Sequence, residues 1–349
     1  MKKLTTILAV LCASGFAFAQ DTPVPATTFR GSADMYYKYD FANLVGNGKT
    51  SFTNSHNSFE LGMVSIAASH KMGKASVFVD LGFGNRAKEF AYNDTSSSFM
   101  IKQLNFTYEI SDKFKITAGS FGTHIGYELL DAVDNKNYSM SYAFTNGPFF
   151  NTGVKAQYTS GKVSFMAGVT NPTDFKTAIE AGSTQKTLIG QIAYIGDTGS
   201  IYFNATSGSS NPATTVNKTQ FDVVASKKIS DKFSLGFNGT YALINDDMGS
   251  ANDEKWFAVI GYASYAPKNN LSLAYRLEYF DATNAAVTLS ALGGSRIVGN
   301  TLSLNYKVGN LTIIPEVRVD LSSEDVFIDR NSSPSSSNAY VLLGTTYRF

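Results

Sequence analysis

From Phe29 to the C-terminus one signal dominates this chain: apolar residues recur at every second position. Between Phe29 and Phe41, the residues Phe29, Gly31, Ala33, Met35, Tyr37, Tyr39 and Phe41 share one parity, while Arg30, Ser32, Asp34, Tyr36, Lys38 and Asp40 take the other. Successive Cβ atoms of a β-strand point to opposite faces, so the segment has one apolar wall and one polar wall. The pattern returns at 75–84, 271–280 and 311–321, and related segments lie near 59–70, 99–110, 114–124, 149–159, 163–170, 187–196, 200–207, 219–229, 233–244, 255–266, 299–308 and 339–349, sixteen in all. In 59–70 and 255–266 apolar residues occupy both parities, which leaves their phase undefined. No helical period of comparable strength interrupts the series.

The connections alternate in length. Terse Gly, Asp, Asn and Ser turns stand at 71–74, 111–113, 160–162, 197–199, 230–232, 268–270 and 309–310. Such residues suit tight hairpins. Longer polar loops at 42–58, 85–98, 125–148, 171–186, 245–254, 282–298 and 322–338 separate them. Short turns at one end and long loops at the other describe an all-β, antiparallel, up-and-down transmembrane barrel. An even strand count returns both termini to the short-turn side. A soluble sandwich or β-helix also alternates, but it does not account for two ends of unlike length. About 330 residues after position 19 leave roughly 20 per strand and connection, room for membrane-crossing strands of about 9–11 residues. Sixteen strands enclose an aqueous channel, where eight are filled by side chains.

Composition agrees. Charged residues make up 16% of the chain, against about 25% in soluble domains. The net charge of +1 gives no basis for nucleic-acid binding. The single cysteine, Cys12, excludes a disulfide framework and a Cys-based zinc site, and the three histidines (His56, His70, His124) lie far apart. No metal or other cofactor is expected. At the start, Lys2 and Lys3 precede an apolar run from Leu4 to Phe16, and Ala17-Phe18-Ala19 reads as a cleavage site. Residues 1–19 are therefore expected to be a signal peptide, 20–28 a periplasmic leader and 29–349 one barrel domain. Leu11 before Cys12 does not suit a lipidation box. Cleavage would leave a thiol-free chain, compatible with an oxidising compartment.

Backbone groups in hydrocarbon need partners, so a sheet spans a membrane only when it closes. Its lipid face must be apolar, and its inner face can be wet. On this basis Arg30, Lys38, Lys115, Lys155, Arg276, Glu278, Glu316, Arg318, Asp320 and Arg348 are expected to point inward. Aromatics near strand ends (Tyr37, Phe59, Tyr108, Tyr158, Tyr306 and Tyr347 among them) are expected to form interfacial girdles. The chain ends Gly344-Thr345-Thr346-Tyr347-Arg348-Phe349. Gly344, Tyr347 and Phe349 resemble the C-terminal signal read by the outer-membrane barrel assembly machinery, with Leu343 departing from the polar residue often found there.

The block GSFGTHIGYELLDAVDNKNYSMSYAFTNGPFFNTGVKAQY at 119–158, with the exported start and terminal Phe349, resembles the β-barrel porins of the OmpL-like family. The resemblance implies a bacterial outer-membrane channel for small hydrophilic solutes or ions, surrounded by lipid, without catalytic residues; porins of this strand number also imply a homotrimer. In general porins the third long loop narrows the lumen. Here that loop is 125–148, carrying Glu128, Asp131 and Asp134 against Lys136. Facing inward-pointing Lys115, Lys155, Arg30, Arg318 or Arg348, with Arg276 also lining the lumen, these acids would set a transverse field. A substrate-selective transport barrel, a barrel enzyme and an adhesin are the alternatives.

Other motifs carry less. Gly82-Phe83-Gly84-Asn85-Arg86-Ala87 spells a dinucleotide fingerprint, but no amphipathic helix or parallel sheet follows. Ser120 and His124 would stand about 13 Å apart in a strand, too far for a nucleophile and its base. The acidic loop Asn245 to Glu254 lacks the spacing and glycine of an EF-hand.

Overall fold

The computed structural model describes residues 26–94, 97–179, 185–209, 216–246, 253–285 and 288–349. The expected signal peptide, residues 20–25 of the leader, and 247–252 of the acidic loop lie outside them. The strands in chain order are β1 (Ala26–Asp40), β2 (Ser58–Met72), β3 (Ala75–Phe83), β4 (Ile101–Ser111), β5 (Phe114–Gly122), β6 (Phe150–Ser160), β7 (Val163–Thr170) and β8 (Thr187–Ile195). They continue as β9 (Gly199–Ser209), β10 (Val216–Lys228), β11 (Phe233–Asp246), β12 (Glu254–Lys268), β13 (Leu271–Asn284), β14 (Arg296–Val308) and β15 (Leu311–Ser322). A two-residue ribbon, β16 (Phe327–Ile328) with β17 (Pro334–Ser335), sits in the last loop before β18 (Ser337–Arg348). Each long strand pairs antiparallel with its sequence neighbours, and β1 pairs with β18, closing a sixteen-strand barrel.

Closure runs from Asp40↔Tyr340 to Ser32↔Arg348 and ends on a backbone pair: Gly31 N–H donates to Phe349 O at 2.8 Å, and Phe349 N–H donates to Gly31 O at 3.0 Å. The barrel sheet therefore has no open edge among the described residues, as hydrocarbon requires. In the turns after β2 and β6, Gly73 and Gly161 each have φ of 58°, a left-handed conformation that a Cβ disfavours.

Solvent exposure is inverted relative to a soluble protein. Phe29, Leu61, Phe106, Leu188, Phe221, Leu277 and Leu302 stand fully outward, while their neighbours Arg276, Glu278, Glu316, Arg318 and Asp320 are buried inside the barrel. The outer band is therefore a lipid face, where an Arg or Lys placed at mid-depth would cost ~2–4 kcal/mol. Phe59, Tyr108, Tyr158, Tyr306 and Tyr347 are exposed near strand ends.

The two strands of undefined phase have separate causes. In β2 the register shifts, with Asp34 opposite Met63 but Met35 opposite Leu61, so Gly62 forms a bulge. Outward residues change parity across it, from Phe59 and Leu61 to Val64 and Ile66. In β12 the inner residues Trp256, Ala258, Ile260 and Tyr262 are apolar because they pack against folded-in loops rather than water.

Among the described residues two short α-helices lie in the loops. Asn85–Phe90 (α1) follows β3, and Tyr142–Asn146 (α2) lies between β5 and β6. Both fall in segments the sequence reads as loop, because five or six residues are too few to show a helical period.

Candidate functional site

Residues 123–149, between β5 and β6, do not extend outward. They cross the lumen, and the inner wall holds them by their backbone. Charged residues on β13 and β15 do this with alternating sign. Glu316 accepts the Tyr138 and Ser139 amides at 2.7 and 3.1 Å, and Glu278 accepts those of Tyr142 and Ala143, each at 2.9 Å. Arg276 Nη1 donates to Ser139 O, and Arg318 Nη1 to Met140 O, both at 2.6 Å. Carboxylates take amides and guanidiniums take carbonyls, so a loop without a strand partner still satisfies its backbone. Ser141 caps α2, its hydroxyl accepting Phe144 N–H at 3.0 Å.

The three loop acids are ion-paired. Glu128 meets Arg276 at 2.5 Å and Asp131 meets Lys102 at 2.6 Å, while Asp134 bonds Arg348. Lys102 also reaches Asp80 at 3.0 Å and Ser65 at 2.6 Å. Of the cations expected to oppose these acids, Arg348 meets Asp134 and Arg30 lines the same cavity as Asp131 and Asp134, whereas Arg318, Lys115 and Lys155 pair with none of the three. Arg318 is committed to Asp320, at 2.8 Å, and to the loop backbone. Arg30 lies over the Phe78 ring at 5.3 Å, Lys155 over Phe121 at 4.0 Å, and Lys115 is exposed on β5. These three form no ion pair among the described residues. The acids are therefore tied to Arg276, Lys102 and Arg348, with Arg30 left unpaired beside Asp131 and Asp134.

Aromatic rungs complete the attachment. Tyr127 stacks on Tyr262 with centroids 4.2 Å apart and covers Gly236. Tyr138 covers Gly344, where a Cβ would stand 2.4 Å from the ring, and its hydroxyl donates to Asp34 at 2.6 Å. Gly344 thus has a packing role inside the lumen in addition to its place in the terminal motif.

The loops from the neighbouring strands press on the same segment. Phe52 from loop 41–57, Phe90 from α1, and Met140, Phe144, Phe149 and Phe150 form one buried cluster. Arg86 of α1 is fully buried between the Phe52 and Tyr138 rings, 4.9 and 5.2 Å from their centroids, and donates to Leu130 O at 3.1 Å. Sequence reasoning missed both Arg86 and Lys102. Arg86 lay inside a dismissed fingerprint. Lys102 shares the parity of outward Phe106 and Tyr108 and turns inward only through a register shift between β3 and β4.

One side of the lumen remains open. A cavity of about 580 Å³ lies between the inner turn of the loop and the wall carrying Gln103, Gln191, Tyr202 and Asn204. At its edge, burial pushes the His124 imidazole down to about 4, and its Nε2 donates to Ala205 O at 3.0 Å. Ser120 Oγ has no hydrogen-bond partner among the described residues, so the structure does not join Ser120 to His124. No cluster of three or more His, Cys, Asp or Glu suited to a metal occurs among the described residues.

Comparison with solved structures matches this geometry to outer-membrane barrels. An anion-selective porin from Comamonas acidovorans aligns with a TM-score of 0.64 at 12% identity, covering 93% of this chain and 100% of that one. The outer-membrane protein OmpT of Vibrio cholerae aligns with a TM-score of 0.61 at 11% identity, covering 95% and 99%. The outer-membrane channel DcaP of Acinetobacter baumannii gives 0.60 at 14%, covering 93% and 97%. At such identities the likeness is one of fold. None of the curated proteins compared matches the chain. The profile of the family described as "Putative beta-barrel porin-2, OmpL-like" matches residues 26–349, and with that span inside a closed sixteen-strand barrel the chain belongs to this family.

Proposed function

We propose that the protein is a passive diffusion channel of the bacterial outer membrane, with loop 125–148 as its constriction. The observation that carries this reading is the asymmetry of the lumen: residues 138–143 of the loop lie flush against β13 and β15, while toward β4 and β8–β10 the loop is held only at points, by Lys102 to Asp131, Asp222 to Gly126 and Lys218 to Asn146, and a cavity of about 580 Å³ remains beside it. A solute crossing the barrel meets polar side chains on one side and the loop on the other. Export by residues 1–19, insertion through the terminal Gly344, Tyr347 and Phe349, and assembly as a homotrimer belong to the same proposal. One neighbouring structure, OmpT of Vibrio cholerae, is described as a trimer form.

Because the loop acids are paired, the combined variant Glu128→Gln, Asp131→Asn and Asp134→Asn takes a counter-ion from each of Arg276, Lys102 and Arg348 and removes three negative charges from the lumen, with Lys102 keeping only Asp80. Reversal potentials across a salt gradient should shift toward anion preference, and single-channel current should grow noisier as the tethers weaken. Unchanged selectivity and conductance would reject loop 125–148 as the constriction. Esterase and protease assays of the folded barrel, with His124→Ala as control, should give no His124-dependent turnover.

A further inference from the structure

The open cavity has two unlike walls, and the hydrogen-bonding sense of the polar one is fixed. Asp222 on β10 can only accept. It takes Asn204 Nδ2 at 2.8 Å and Asn238 Nδ2 at 2.5 Å. Asn204 must then turn its carbonyl oxygen toward Gln191, whose Nε2 donates to it at 2.8 Å. Gln191 is left presenting its own carbonyl oxygen to the cavity. On β4 the sense is opposite: Gln103 Oε1 accepts Gly122 N–H at 3.2 Å, so its NH₂ group faces the space. A fixed acceptor and a fixed donor, with the Tyr202 hydroxyl, line the same void.

Across from them stands Leu129, 54% exposed. It is not a loose side chain on a mobile turn. Leu129 N–H donates to Asn135 Oδ1 at 2.9 Å, and Asn135 Nδ2 donates back to Leu129 O at 2.5 Å. A braced, uncovered leucine facing a row of oriented amides makes an amphipathic slot. The charges beside it are largely spent on one another, Lys102 on Asp80 and Asp131, and Glu128 on Arg276. Arg30, at the margin, is the exception.

Hydroxyl groups donate and accept at once, and a pyranose ring also offers a C–H face for apolar contact. Ligand sites are commonly 300–1,000 Å³, so this cavity suits a mono- or disaccharide. We propose that the slot between Gln103, Gln191 and Leu129 is a saturable station for neutral sugars, a reading that rests on the channel function above. The test is planar-bilayer recording in potassium chloride with maltose as probe and polyethylene glycol of matched hydrodynamic size as control. Maltose should reduce the current in a saturating manner, beyond the effect of the polymer. Gln103→Leu, Gln191→Leu and Leu129→Ser should each raise the half-blocking concentration by about tenfold, the loss of roughly one good contact. Current steps with a maltose effect equal to that of the polymer overturn the sugar site alone. Saturable block that survives all three substitutions overturns its placement. Absence of current steps overturns the channel reading and the sugar site with it.

Discussion

Arg276 is where the loop is most dependent on one side chain. It is 1% exposed and donates to Glu128, Ser139 O, Ser139 Oγ, Met140 O and Thr301 Oγ1. Replacing it with leucine leaves the Glu128 carboxylate buried with only the Ser141 amide and hydroxyl as partners, at 2.8 and 2.7 Å. Removing one member of a buried ion pair costs about 3–5 kcal/mol. The sheet pairs through its backbone, so this cost falls on the loop and not on barrel closure. It should raise the population of the released loop roughly a hundredfold to a few thousandfold. The chain from Gln20 onward has no cysteine, so Ala143→Cys in α2 supplies a single buried reporter thiol. Its rate of labelling by a small methanethiosulfonate follows the open population when reclosing is fast. Arg276→Leu should accelerate labelling by that factor, and adding Glu128→Leu should restore much of the protection, since the stranded charge is then gone. A labelling rate within about threefold of the parent would refute the argument that this pair holds the loop.

Gly344→Ala should lower the thermal midpoint of the folded barrel by the equivalent of ~1–3 kcal/mol, because Tyr138 is held by Asp34 and Glu316 and cannot easily yield; Tyr138→Ala in the same chain should recover part of the loss. In loop 171–186, burial pushes the Asp174 carboxyl up to about 6, against hydrogen bonds from the Phe149 and Phe150 amides and Tyr92. The folded chain thus keeps a proton that the unfolded chain, with a carboxyl near 3.9, releases earlier. The stability this group confers is complete below about pH 4 and is lost as pH rises through about 6. Thermal midpoints should show that slope in the parent, and Asp174→Asn should flatten it.

The alternation that built the barrel was legible because lipid and water stand on opposite sides of one sheet, which forces period two wherever the lumen is wet. It failed where that condition fails. β12 loses its polar face because α2 and two loops cover it, and β2 changes parity at the Gly62 bulge. The loop acids were legible as members of the site, but their partners were not. Which cation meets Asp131 depends on the register shift that turns Lys102 inward, and a local pattern does not record such a shift. Arg86 was invisible for a similar reason: Asp34 and Tyr138 are each 52 positions away and Phe52 is 34, and they reach it only once the loops have packed.

If the loop is the constriction, solute passes on one side of it and not the other. Single cysteines at Gln191, on the open wall, and at Ser303, which is buried under Asn137 at 2.7 Å, separate the two sides in one experiment. Single-channel current should fall stepwise when a bulky thiol reagent is added to Gln191→Cys and should not respond in Ser303→Cys. Block at Ser303→Cys with none at Gln191→Cys would contradict the account.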